Sequence, residues 1–560
     1  MPGREHRRWL LLRLLAAVLA LAIPASVGAA THATSRSGGT FVFGTEVDPI
    51  ALDAALTSAD TSSSRIVNQM LEGLVELAPG RTSVVPKLAT SWRASKDGRS
   101  WTFSLRRRVK FHDGTPLNAA AVCFNFERWY GFAGSLQRSA TYWQLVFGGF
   151  RKPEPGSPGP EMSLYRGCQR VDNLTVRLRL ARRTASFLAA LAYPSFGIAS
   201  PTALRKYDAD AGEADANGIF HPAGTYSTAH PTGTGPFMFS SWQPRRQVVL
   251  VRNPGYWGNK AKLDRLVFRP ILDQVARLNA LKRGAIHALD AARVGDAESI
   301  RRDPRLKLLD RPSGNVGYVG INQAIPPMNK LLVRQAVAYG LDRRAVVRSF
   351  YDGRGRLADQ FLPPVFVGHA KDVKRYRYDP ARSRALLRQA GLELPVKVDF
   401  WFPTEISRPY MLDPKRNFEA FAASLRRAGF EVIPHSAPWS PDYIKAFMSG
   451  KAQLYLGGWL ADLPDPENFF GDHFRRYKPQ FGFRNPNLFA LIDRADAETN
   501  LATRARLYRR ASRLLMLQLP IVPYVHFKFA VALRRNVTGY VPDTTGPINE
   551  SFASVAFSSS

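Results

Sequence analysis

LATSWRASKDGRSWTFSLRRRVKFHDGTPLNAAAVCFNFER, residues 88–128, sets a β-hairpin early in this 560-residue chain. Asp97-Gly98 is a turn dipeptide, and behind it Trp101, Phe103 and Leu105 alternate with Thr102, Ser104 and Arg106. That period predicts a strand with one buried face. Farther on, the period changes. Val333, Ala336, Val337, Gly340 and Leu341 recur at helical spacing, as do Leu507, Ala511, Leu514 and Leu515. Asp379-Pro380, then Ala385, Leu386, Leu387 and Ala390, then Gly391, predict a helix with its cap, its first-turn proline and its terminal glycine in place. Strand-like and helix-like segments alternate along most of the chain, which predicts α/β lobes. A chain this long exceeds what one hydrophobic core serves, so two or more domains are expected.

Residues 1–30 read as a secretory signal peptide. Arg4, Arg7 and Arg8 precede an apolar run broken only by Arg13, and Val27 and Ala29 fit the small-x-small rule for cleavage after Ala29 or Ala30. An uncleaved anchor is the alternative. No cysteine lies near the cleavage region, so a lipid-attached N-terminal cysteine is not expected. Export places the mature chain in the periplasm or at the outer face of the cell membrane, where thiols oxidise. Cys123 and Cys168, the only cysteines, are therefore read as one disulfide contributing roughly 3 to 4 kcal/mol through loop closure. No H-E-x-x-H and no close Cys/His cluster occurs, so neither zinc nor another cofactor is expected. The pro- and glycine-rich residues 152–167 read as a surface loop ending at Cys168.

The formal charge is +33, and residues 1–30 hold four Arg and one Glu, so the mature chain keeps +30. The basic residues are spread as doublets such as Arg182-Arg183, Arg343-Arg344 and Arg509-Arg510 rather than gathered in an arm, which argues against nucleic acid. Electrostatic association with an anionic membrane surface or cell wall is the reading that remains for the charge.

Three ordered motifs carry a resemblance. Residues 88–128, GTGPFMFSSWQPRRQVVLVRNPGYWG (233–258) and VRQAVAYGLDRRAVV (333–347) resemble signatures of the family 5 extracellular solute-binding proteins of ABC importers. The helix at 379–391 and the run Leu519-Pro520-Ile521-Val522-Pro523 are similar to that family's later elements. The resemblance implies an α/β, type II-like periplasmic-binding-protein fold of two hinged lobes with an additional small domain. Domain one would comprise 31–77, 200–313 and 534–560, domain two the insert 78–199, and domain three 314–533. It also implies a monomer that is not an enzyme, with a peptide ligand and permease subunits as partners. No G-x-S-x-G, metal motif or phosphate loop argues for a hydrolase instead.

GGWLADLPDPENFF, residues 457–470, follows a short apolar strand at 452–456 that Pro464 and Pro466 keep from continuing. Asp462 then falls at a strand end beside Trp459. Locally it reads either as a turn-capping Asp or as a carboxylate placed to receive a cation. Dipeptide binders of the family carry an Arg-Pro-Tyr triplet and a Trp-x-x-Asp segment, and Arg408-Pro409-Tyr410 and Trp459 to Asp462 match both. The resemblance implies that Asp462 holds a peptide's α-ammonium, Arg408 its carboxylate, and Tyr410 and Trp459 the walls. The same fold also serves nickel, haem, opine and oligosaccharide ligands, which are the alternative cargoes.

Overall fold

The computed structural model describes residues 35–558, other than 58–60, 156–158, 217, 219, 291–294 and 545. The expected signal peptide and cleavage position lie outside the described residues. Two sheets organise the chain. The first has seven strands in the order Phe237–Gln243, Gln247–Arg252, Arg265–Pro270, Thr40–Thr45, Ala288–Asp290, Ala530–Arg534, Leu306–Asp310. The second has six, in the order Gly355–Leu357, Ile521–Phe527, Asn315–Ile321, Leu454–Leu460, Val396–Thr404, Phe430–Pro438. Each sheet has its own core: Phe41, Phe43, Leu250 and Phe268 are buried in one, and Val319, Val398, Phe400 and Val522 in the other.

The chain passes between these sheets twice. Leu306–Asp310 belongs to the first and Asn315–Ile321 to the second, so residues 311–314 make the outward crossing. Ile521–Phe527 and Ala530–Arg534 stand in the same relation, so residues 528–529 make the return. The return comes earlier than the boundary expected at 533/534, because Val531, Ala532 and Leu533 pair with the strands at 288–290 and 306–310. The two crossings are tied side by side by Arg311 N donating to Phe529 O at 2.7 Å. Paired crossings between two separately cored lobes are the geometry of a hinge.

Arg311, 1% exposed, anchors the hinge from below. Its guanidinium pairs with Asp290 and Glu550, Arg65 pairs with the same Asp290, and Tyr540 donates its hydroxyl to Glu550. Burial alone would raise Asp290, but Arg311 and Arg65 hold its carboxyl at about 2.

The third body is the insert. Ala89–Ala94, Ser100–Leu105, Thr175–Leu180 and Tyr165–Arg170 form a four-stranded antiparallel sheet. Trp101, Phe103 and Leu105 are buried, as their alternation requires, and Gly98 takes a φ of 68° in the turn before them. Helix Ala119–Tyr130 packs on this sheet, and Cys123 of the helix is bonded to Cys168 of the strand with 5.2 Å between Cα atoms. Cys168 therefore sits inside a strand, and the expected loop ends before Tyr165. Helix Pro380–Gln389 has the predicted ends: Asp379 accepts from Arg382 N at 2.8 Å, and Gly391 has a φ of 74°.

Candidate functional site

Leu454–Leu460 pairs antiparallel with Asn315–Ile321, bringing Gly458 opposite Gly317. This pairing makes room for Tyr410. A Cβ on Gly458 would stand 2.1 Å from the Tyr410 ring, and one on Gly317 would stand 2.5 Å from the Tyr410 carbonyl oxygen. The ring therefore packs against the sheet, and its main chain is held on the same face: Tyr351 and Tyr524 both donate their hydroxyls to Tyr410 O, at 2.9 and 2.5 Å. Tyr410 is buried and belongs to the core that includes Phe418 and Tyr524.

Arg408 leaves this platform at its rim. Arg408 and Met411 exchange backbone hydrogen bonds of 3.1 and 2.8 Å, a tight turn that turns the arginine outward. Its guanidinium lies 5.4 Å from the centre of the Trp439 ring, and it has no carboxylate in ion-pair contact among the described residues. Cation–π stacking of this kind presents the planar edge while leaving its donors free for an anion.

Asn468, 2% exposed, organises the opposite end. Its Oδ1 accepts from Asp462 N at 2.9 Å and from Trp459 Nε1 at 3.2 Å, so one side chain fixes both the acid and the indole. The Trp459 ring meets His473 edge-on, with centroids 4.7 Å apart. Asp462 is half-buried, and its carboxylate has no ion-pair partner among the described residues. Burial, reinforced by the charge of Asp472, pushes its carboxyl up to about 6.

Asp462 faces the insert. The Tyr142 and Tyr193 rings lie with centroids 4.0 Å apart, tilted by 40°, and share a hydroxyl hydrogen bond. Burial is the main reason both phenols titrate above their ordinary range, and the charge of Asp462 adds to it in each. Leu463, the next residue, packs into the insert's own hydrophobic cluster. The lobes therefore meet around Asp462. Tyr410 links the two predicted anchors: burial is the main reason its phenol titrates above the ordinary range, the Arg408 charge draws it back down and the Asp462 charge pushes it further up, so both charges act on the same hydroxyl. The strand separates the predicted residues: Gly458 packs on Tyr410, which shares a core with Val319 and Leu456, while Trp459, the next residue, points to the other side of the sheet toward His473; Arg408 stands at the rim and Asp462 just past the strand end, beside the insert. Tyr142, Tyr193, Asn468 and Trp439 were not singled out by sequence reasoning. An Asn within a Glu-Asn-Phe-Phe helix start, and aromatics in short helical turns, look like ordinary capping and core positions. Among the described residues, no cluster of three or more His, Cys, Asp or Glu side chains could hold a metal ion.

Two lobes on a double-crossing hinge, meeting over an unpaired carboxylate and aromatic walls, define a protein that encloses a small solute. Residues 83–478 match the profile of the bacterial extracellular solute-binding proteins, family 5, middle region, and the chain belongs to that family. Over 530 residues it is 31% identical to heme-binding protein A of Haemophilus influenzae, covering 92% of each chain. It is likewise 31% identical over 534 residues to the dipeptide-binding protein of Escherichia coli, covering 93% of this chain and 95% of that one. Among solved structures, HbpA2 from Haemophilus parasuis superposes with a TM-score of 0.82 at 27% identity, over 93% of this chain and 100% of that chain. A dipeptide-binding protein from Pseudoalteromonas sp. SM9913 in complex with Met-Leu superposes with a TM-score of 0.66 at 26% identity, over 93% and 100%. The fold is accordingly that of a type II periplasmic binding protein.

Proposed function

We propose that this protein captures a peptide, a dipeptide or short oligopeptide, between its lobes and delivers it to the permease of an ABC importer. The observation that carries this reading is the half-buried, unpaired carboxylate of Asp462 at the interlobe seam. A group raised to about 6 by burial is costly to ionise alone, and an ammonium beside it removes that cost. In this reading Asp462 holds the α-ammonium, Arg408 receives the α-carboxylate, and Tyr410 and Trp459 wall the backbone between them. The dipeptide-binding relatives support the same cargo. The exported monomer is kept at its envelope by its charge, and moderate salt releases it.

A thermal-shift screen of the mature protein tests the cargo directly, because a ligand that binds only the native state raises its apparent stability. Dipeptides stabilise most. Stabilisation by haem, a nickel complex, an opine or an oligosaccharide, with no response to peptides, overturns the assignment. The role of Arg408 has its own test. Arg408→Ala raises the dissociation constant of a free dipeptide about tenfold, the worth of one charge-assisted contact at a solvent-facing rim, and leaves a C-terminally amidated analogue nearly unaffected. Equal losses for both ligands remove the carboxylate role.

A further inference from the structure

A cavity of about 560 Å³ opens in the seam between the insert and the second lobe, lined by Pro464 and Asp465 but not by Asp462. Its insert wall is Trp92, Trp101 and Leu188, and its second-lobe wall is Val367, Pro464 and Leu501. That volume falls within the range of small-molecule sites, about 300–1,000 Å³. Three features distinguish it from an ordinary gap between lobes. First, Val367 and Leu501 are 37% and 68% exposed, apolar side chains left facing the opening. Second, Trp101 is 5% exposed, yet its Nε1 is buried without a hydrogen-bond partner. A buried donor left in this way costs roughly 1–3 kcal/mol until an acceptor reaches it. Third, Arg93 lines the same cavity from an exposed position and has no ion pair among the described residues.

The walls are held in register beside the cavity. Thr184 Oγ1 donates to Asp496 Oδ1 at 2.9 Å, Ala185 N donates to Asp496 O at 2.7 Å, and Arg182 pairs with Asp496 Oδ2 at 3.2 Å. Thr184 and Asp496 are both buried, so the clamp is shielded from water. The cavity floor is equally fixed, because Arg504 grips both oxygens of Asp465 at 2.6 Å. The Arg504 guanidinium is thus neutralised, which leaves Arg93 as the lining cation free to meet an anion.

We propose that this cavity is a second ligand site, independent of the peptide seat, for a small amphipathic carboxylate: an acyl chain or aromatic body between the two lobes with its carboxylate toward Arg93. The apolar walls account for the body, and the exposed guanidinium for the sign of the head group. Because the walls come from both lobes, a bound molecule favours the closed arrangement.

Isothermal titration of the mature protein with decanoate tests this. One equivalent binds, and the double variant Leu188→Gln/Leu501→Asp, altering two side chains that are not fully buried, lowers the affinity at least tenfold while melting as a folded protein. Arg93→Ala lowers it several-fold, and shows no such loss for decanol, which lacks the carboxylate. Asp462→Ala leaves decanoate binding unchanged, so the result stands apart from the peptide reading. Absence of saturable decanoate binding overturns the proposal. Undiminished binding by the double variant overturns it as well, and so does loss of decanoate binding in Asp462→Ala, which would assign the molecule to the peptide seat.

Discussion

Asp462→Ala weakens the binding of a dipeptide by roughly 2–4 kcal/mol, a rise of about 30- to 1,000-fold in the dissociation constant, because it leaves a desolvated ammonium with no counter-charge. Titration calorimetry at pH 7.5 reads the loss, and an unchanged constant reduces Asp462 to a turn residue. The pH dependence sharpens the test. In the free protein the carboxyl titrates near about 6, while a peptide ammonium stays charged through this range. Protonation of Asp462 therefore competes with the ligand. Affinity in the wild type holds above about pH 7 and falls toward tenfold per pH unit below about 5.5, whereas Asp462→Asn is weak and flat throughout. The free protein has an opposite signature. A carboxyl raised from 3.8 to about 6 on folding contributes stability that is complete below the unfolded value and is lost as pH rises through the folded one. Ligand-free Asp462→Asn consequently melts above the wild type at pH 7.5, by about 1–2 kcal/mol after allowance for partial solvent exposure, and the two converge near pH 4.

The elements that could be read in the sequence are those whose chemistry is local. Asp97-Gly98 needs only its own backbone to make a turn, and Asp379, Pro380 and Gly391 mark a helix without reference to anything distant. The seam around Asp462 is different. Tyr142 and Tyr193 matter because the fold brings them close to a residue some 300 positions away, and neither has a neighbour in sequence that marks it apart from the insert's many core aromatics. Gly457 and Gly458 illustrate the converse. In isolation two glycines weaken a strand, yet the strand runs through both to Leu460, because the rings of Tyr318 and Tyr410 occupy the space where their side chains would stand. The return crossing at 528–529 carries no turn dipeptide, since the chain leaves one sheet and enters the next without reversing. Resemblance to a family located the lobes; only the folded molecule located the carboxylate's surroundings.

Arg311→Met destabilises the protein by roughly 3–5 kcal/mol, read as a shift in the urea midpoint, while a dipeptide still binds the folded fraction within a few-fold of the wild type. Methionine replaces the apolar stem of the arginine and ends short of the guanidinium, so the packing of the stem is kept. What changes is charge. Of the two guanidinium groups that Asp290 and Glu550 share, Arg65 remains, with its Nε 3.7 Å from Glu550, and two buried carboxylates balanced by one guanidinium are the costly species. In the wild type, Asp290 is held at about 2 against 3.8, so its share of the stability is present above about pH 4 and is lost as the pH falls toward 2. In the variant the sign reverses. A carboxylate deprived of its guanidinium and still buried is raised rather than lowered, so acidification relieves it and the deficit narrows between pH 7 and pH 5. Arg311→Met/Asp290→Asn recovers part of the loss at neutral pH, because the uncompensated charge is removed with its partner. Binding survives because the hinge bond itself is a backbone contact: Arg311 N reaches Phe529 O whatever side chain stands at 311. A deficit that does not depend on pH, or a double variant no more stable than Arg311→Met, assigns the effect to packing and removes the ion network from the hinge.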